Sequence, residues 1–302
     1  MHDSHQDPSG QRQAPMQGLP QSGLNAAGCA RLPLSGSLES CLMAVQTANS
    51  RSPGTPLSPL ELTGRARTHV AQVSEFGCEL EPQAAAALRA MRAAAFHDGL
   101  DLQAVSGFRD FDRQLAIWNG KFRGTRVLLD ADSRPLVTAD LDERQRVAAI
   151  LVWSALPGAS RHHWGCDCDV IDRRALEAGA AVDLLPADYA AGGRYARLSQ
   201  WLEAHAHEFG FFRPYDRDRG GVQPEPWHLS FAPTALPALS ALTVNLLFDA
   251  LEGAELDGSA TVMEQLANIH QRYVAAVATP TAGALAAAAL GLLTPSRATR
   301  PA

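Results

Sequence analysis

The chain has 302 residues, 46% of them hydrophobic and 19% charged, with a formal net charge of -6. That is enough apolar material for a sizeable core in one or two domains. The acidic balance, with no Lys/Arg stripe interleaved with aromatics, argues against nucleic acid as a partner. No segment reaches the roughly 20 apolar residues that a membrane span needs, so no integral membrane segment is expected; the most apolar run is Gly283 to Leu293.

Residues 1–58 are rich in Gln, Ser, Gly and Pro and lack periodicity, so they are expected to form a disordered leader. His2, Asp3, His5, Asp7 and Pro8 stand where a secretory signal would carry positive charge and then an apolar block. Ala26-Ala27-Gly28-Cys29 likewise lacks the apolar region that would make it a lipidation site. Localisation is therefore unassigned: cytoplasmic by default, periplasmic if the true start differs. Residues 59–278 read as one continuous folded domain, and residues 279–302, rich in Ala, Thr and Pro, as a disordered tail. The five cysteines, Cys29, Cys41, Cys78, Cys166 and Cys168, are odd in number and match no disulfide framework.

Within the domain, Pro82 opens a helix that carries Leu88 and Met91 and stops at Asp98-Gly99. Leu100 to Val105 alternates and reads as a strand. Asp110 begins a helix through Leu115, Ile117 and Trp118, and Asp142 to Ala155 has helical spacing at Val147, Ile150 and Leu151. Cys166 to Ile171 is expected to be a strand, Tyr195 to Phe209 a helix, and Trp227 to Phe231 a strand. Helices near Leu242–Leu251 and Thr261–Val274 complete the domain. Short strands among longer helices, without regular βαβ alternation, predict an α+β fold.

Three segments carry chemistry. In Ser106-Gly107-Phe108-Arg109 a strand gives way to a helix, and Arg109 at that junction can bind a carboxylate or an oxyanion; pairing with Asp110 or Asp112 is the plainer reading. In the segment Ser160 to Asp169, His162 and Asp169 flank Gly165, and a turn there can bring an imidazole and a carboxylate to one cation. Taken alone, such a pair is more often structural. In Glu225-Pro226-Trp227-His228, His228 offers a third ligand and Glu225 a base, and Pro226 breaks the strand so that both can face one way.

Together, S-G-F-R-x-x-x-x-Q, S-x-H-x-x-G-x-x-x-D and E-P-W-H, in that order, resemble the D-alanyl-D-alanine carboxypeptidase family of zinc metallopeptidases. This family includes the vancomycin-resistance D,D-peptidases and shares its fold with the Hedgehog signalling domain. The resemblance covers roughly Leu60 to Tyr273 and implies a small antiparallel sheet flanked by helices. It implies Zn2+ held by His162, Asp169 and His228, with Glu225 as general base and Arg109 polarising the scissile carbonyl. Gln114 and Ser160 would hold the peptide end. The implied reaction is hydrolysis of the C-terminal D-alanine bond of peptidoglycan peptides. L,D-carboxypeptidase or D,D-dipeptidase activity on the same site, or a non-catalytic cell-wall-peptide module, are the alternatives. Retention of Glu225 and Arg109 speaks against the last. Oligomeric state is not readable.

One departure from the family pattern is Asp167, where many members carry a small residue. Strand alternation puts it on the side of Asp169, where it either orients a ligand histidine, the favoured reading, or is a merely solvated acid, with competition for the metal as a further reading. Cys166 and Cys168 alternate away toward the core. His163 is a weaker ligand candidate than His162, and His205 and His207, two apart on a helix, cannot share an ion.

Overall fold

The computed structural model describes residues 55–176 and 182–285. The expected leader up to residue 54 and the tail beyond residue 285 lie outside the described residues. Ser58, expected at the leader's end, already caps the first helix in a reciprocal box with Glu61.

That helix, α1 (Pro59–Leu62), is followed by the hairpin β1 (Ala71–Val73) and β2 (Cys78–Leu80). Helix α2 (Pro82–His97) starts on Pro82, with the Glu81 carboxylate accepting from Ala84 N–H, and turns Leu88, Met91 and Ala95 into the core. Then come β3 (Leu102–Ser106) and α3 (Phe111–Phe122), the latter capped by Asp110 accepting from Arg113 N–H. A second small hairpin, β4 (Leu128–Leu129) with β5 (Pro135–Leu136), leads to α4 (Glu143–Trp153), opened by a box between Asp142 and Gln145. Strand β6 (Asp167–Asp172) is buried along its whole length. It is followed by α5 (Pro186–Tyr189), α6 (Ala196–His205), β7 (Phe211–Phe212) and β8 (His228–Phe231). Helices α7 (Ala232–Ala241), α8 (Val244–Leu251) and α9 (Ser259–Ile269) follow.

The main sheet runs β3-β6-β8-β7, antiparallel at every pair. A small antiparallel sheet among helices is the α+β architecture the sequence predicts. Trp118, Trp164, Tyr195, Phe111 and Phe211 are fully buried around it. The two indoles stay satisfied, Trp118 Nε1–H donating to Asp257 O at 3.0 Å and Trp164 Nε1–H to Leu62 O at 3.2 Å.

Differences from the sequence reading lie at breaks. The helix expected over Tyr195–Phe209 ends at His205 and continues as a 3-10 turn, Ala206–Phe209. Helix α7 was not expected, because Pro237 sits inside it and removes a backbone donor. The helix expected from Leu242 begins at Val244, where the Thr243 hydroxyl accepts from Leu246 N–H. Beyond Ile269 the last helix loosens into a π turn over His270–Ala275. Among the described residues no single helix is long and apolar enough to cross a membrane; α7 and α8 pass that test only as a pair bent by 80°.

Candidate metal and catalytic site

The register of the two central strands assembles the site. Asp169 on β6 lies opposite His228 on β8, and Asp167 lies opposite Ser230. His162 comes from the 3-10 turn Arg161–Trp164 just before β6. That turn ends at Gly165 with φ +67°, where a Cβ would stand 2.3 Å from Val70 Cγ1, so only glycine reverses the chain here. A second close approach is at Gly107, where a Cβ would meet Glu79 O at 2.6 Å. The Gly107 carbonyl accepts from His162 Nδ1–H at 2.8 Å.

The His162 imidazole is thereby fixed in one tautomer. With Nδ1–H of His162 donated to Gly107 O, its Nε2 lone pair faces Asp169 Oδ2 at 3.5 Å. His228 donates Nε2–H to Asp167 Oδ2 at 2.9 Å, which turns its Nδ1 toward Asp169 Oδ1 at 3.4 Å. One donor atom from each of His162, Asp169 and His228 lies within 4.8 Å of the others, and all three residues are buried. Asp169 Oδ1 is buried without a hydrogen-bond partner. Burial pushes the Asp169 carboxyl up to about 6, against the pull of His228. His228 is opposed by burial, but hydrogen bonds to Asp167 and Glu225 raise it to about 10. The same pocket thus draws one proton into its centre, the place a divalent cation would take by displacing it. Two imidazoles and one carboxylate form a donor set suited to zinc, with room for a further ligand.

Glu225 reaches this centre through a turn. His228 N–H donates to Glu225 O at 3.0 Å across Pro226-Trp227, closing a β-turn with proline at its second position. The turn folds the Glu225 carboxylate back, Oε2 standing 3.2 Å from His228 Nδ1. Arg109 lines the same cavity, of about 250 Å³. Its Nη1 donates to Gln114 Oε1 at 2.9 Å and its Nη2 to Ser106 Oγ at 3.3 Å. Gln114 is fully buried, and its Nε2 donates to Ala155 O at 2.7 Å, so it holds Arg109 from behind instead of lining the cavity. Ser160 lines the cavity, and its hydroxyl makes no capping bond to the turn it precedes. Burial lowers the Arg109 pKa, and the charges of Asp169 and Glu225 partly restore it.

Asp167 accepts from His228, one of the two candidate ligand histidines. Besides His228 it accepts from Arg161 Nε at 2.7 Å, Ser230 Oγ at 2.9 Å and Cys166 Sγ at 3.3 Å. Burial alone would raise its pKa; the Arg161 guanidinium and the His228 hydrogen bond hold it well below the usual carboxylate range. Cys166 and Cys168 are buried free thiols. His163 has both ring nitrogens occupied, Nδ1–H donating to Arg109 O at 2.6 Å and Nε2 accepting from Gly158 N–H at 3.1 Å. It therefore pins the backbone of Arg109. His205 pairs with Glu208 at 3.0 Å, away from the site.

Trp153, Tyr215, Ser230 and Arg161 escaped sequence reasoning. Trp153 stacks on Trp227 at 6.4 Å, and Tyr215 sets its ring edge-on to His228 at 5.1 Å; all three aromatic residues line the cavity. Ser230, two residues beyond His228, was findable by strand alternation. Arg161 was not, since nothing local pairs it with Asp167.

An uncharacterized protein of Haemophilus influenzae is 41% identical over 103 residues, covering 33% of this chain and 70% of that one. The putative carboxypeptidase YodJ of Bacillus subtilis is 29% identical over 156 residues, 50% of this chain and 46% of its own length. Among solved structures, a mutant of the vancomycin-resistance D,D-pentapeptidase VanY in complex with Zn(II) is 24% identical with a TM-score of 0.39, covering 57% of this chain and 83% of that one. The LdcB LD-carboxypeptidase gives 24% and 0.39, over 62% and 74%. Residues 77–234, more than half of the chain and the stretch that holds every residue of the site, match the family described as VanY, D-alanyl-D-alanine carboxypeptidase, and the chain belongs to that family.

Proposed function

We propose that this protein is a zinc-dependent carboxypeptidase that removes the C-terminal D-alanine of peptidoglycan-derived peptides, with residues 59–278 as its catalytic domain. One observation carries the reading: the Glu225 carboxylate stands 3.2 Å from His228 Nδ1 in a cavity that Arg109 also lines. A site that only bound peptide would need neither a carboxylate poised beside the candidate ligands nor a half-buried guanidinium lining the same cavity.

His162, Asp169 and His228 would hold the zinc, which when bound supplies Lewis acidity and brings the pKa of water toward about 7. Glu225 takes a proton from the attacking water and returns it to the departing amine. Arg109, held on Gln114 and Ser106, donates to the oxygen of the scissile carbonyl as charge gathers there. Because those partners fix the guanidinium beforehand, little reorganisation is needed as the barrier is crossed. Asp167 keeps His228 Nδ1 turned inward, and Ser160 offers a hydroxyl to the peptide.

The test is incubation of the purified full chain with muropeptides ending in tetrapeptide or pentapeptide stems, followed by identification of the released alanine. Release of the fifth residue is expected; release only of the fourth would make the enzyme an L,D-carboxypeptidase. Glu225→Ala should retain zinc and lose alanine release, and full residual activity in that variant would overturn the proposal.

A further inference from the structure

A carboxypeptidase must distinguish a free C-terminus from an internal peptide bond, and one part of the cavity wall suits that task. Lys121 lies in the last turn of α3 and donates from Nζ to Ser154 Oγ at 2.7 Å. Ser154 is the residue that ends α4, next to Trp153, and it lines the cavity together with Arg109 and Glu225. No carboxylate of the described residues lies within 4.0 Å of the Lys121 ammonium. Burial lowers the Lys121 pKa, and the Glu225 charge works against that shift.

The hydrogen-bond chemistry gives the arrangement a direction. An ammonium only donates, so Ser154 Oγ is the acceptor in its bond with Lys121. The Ser154 hydroxyl proton therefore remains to be donated, and the charge behind it strengthens it as a donor. An acceptor bearing a negative charge completes the chain Lys121–Ser154–anion. Leu129, Leu184 and Leu185 line the same cavity and are apolar, which suits a small aliphatic side chain on the bound peptide.

Building on the carboxypeptidase reading, we infer that Lys121 and Ser154 form the receptor for the terminal carboxylate of the peptide, Ser154 by direct hydrogen bond and Lys121 through Ser154. Lys121 is a positioning residue in this scheme. The plainer role, a tether between the ends of α3 and α4, predicts altered stability without altered substrate choice.

The experiment compares two acylated peptides ending in D-alanyl-D-alanine, one with a free carboxylate and one with a terminal carboxamide, on the zinc-loaded full chain. The wild type should favour the free acid, chiefly through KM. Lys121→Met and Ser154→Ala should each reduce the acid-over-amide ratio of kcat/KM about tenfold or more, and Lys121→Arg, which keeps the charge, should retain most of it. A parallel titration of the free-acid peptide, read by the fluorescence of Trp153 and Trp227, should show the same loss in Lys121→Met without depending on turnover. An unchanged ratio in an active Lys121→Met variant, or equal losses on acid and amide, would overturn this assignment and leave the carboxypeptidase reading intact. A wild type that neither cleaves nor binds the free-acid peptide would sink both.

Discussion

Asp167 Oδ2 accepts from His228 Nε2 at 2.9 Å, in a spot where neither side chain meets solvent to any extent. That bond decides which nitrogen of His228 faces Asp169. Ligand histidines are commonly oriented by a carboxylate in this way, and loss of such a partner costs roughly 10- to 100-fold in metal affinity. Asp167→Ala should weaken zinc binding by that factor, measured by competition with a chromogenic chelator. The variant also strands Arg161, whose Nη1 is already buried without a partner, so a companion Asp167→Ala with Arg161→Leu is the cleaner test. Wild-type zinc affinity in both variants would show that Asp167 does not position His228.

Arg109 is expected to act on the transition state more than on binding. Its guanidinium is held at two points, so its geometry is set before substrate arrives. Arg109→Lys keeps a charge but loses the planar fork, and should lower kcat about 100- to 1000-fold with a far smaller change in KM. Gln114→Leu, which removes one of the two anchors, should show the same pattern in weaker form. A rise in KM alone would make Arg109 a ground-state binding residue.

Metal removal has a stability signature independent of turnover. An ion that binds the folded chain and not the unfolded one stabilises by RT ln(1 + [L]/Kd), about 2.7 kcal/mol at 100 times Kd. Stripping the protein with chelator should therefore lower its melting temperature, and zinc should restore it in a concentration-dependent way. In His228→Ala the zinc-dependent increment should nearly vanish. An equal increment in that variant would place the ion elsewhere.

How legible the site was depends on the range of the contacts involved. His162, Asp169, Glu225 and His228 sit in two short segments whose turn chemistry, at Gly165 and Pro226, is written locally. The α+β class followed from strand and helix spacing in the same local sense. Lys121 with Ser154, Arg161 with Ser230 and Trp153 with Trp227 are pairs brought together only by packing, and no periodicity announces them. Helix α7 was hidden for the opposite reason: Pro237 is a local signal against helix that tertiary packing overrides.

Gly165 offers a test of the turn itself. Gly165→Ala places a Cβ into Val70 and forces a left-handed conformation on an L side chain. The expected loss is about 2–4 kcal/mol in denaturant unfolding, accompanied by weaker zinc binding because His162 leaves from the same turn. Stability within about 0.5 kcal/mol of wild type would show that the turn relaxes freely.

His163 gives a pH dependence whose sign can be worked out. Burial holds its imidazole neutral and lowers its pKa to about 4, against about 6.5 for an unfolded histidine. Between those values the unfolded chain binds a proton that the folded chain does not, so stability rises with pH across that window. The contribution is complete above about pH 6.5, shrinks as pH falls, and has a ceiling of about 3 kcal/mol. His163→Gln removes the titration and, at neutral pH, also the paired contacts to Arg109 O and Gly158 N–H. The variant should therefore be less stable than wild type at pH 7, by about 1–3 kcal/mol, and the gap should narrow toward pH 4.5. Urea unfolding of both proteins at pH 4.5, 5.5 and 7 measures it, and a gap that stays constant with pH would show that His163 is not the group that charges on unfolding.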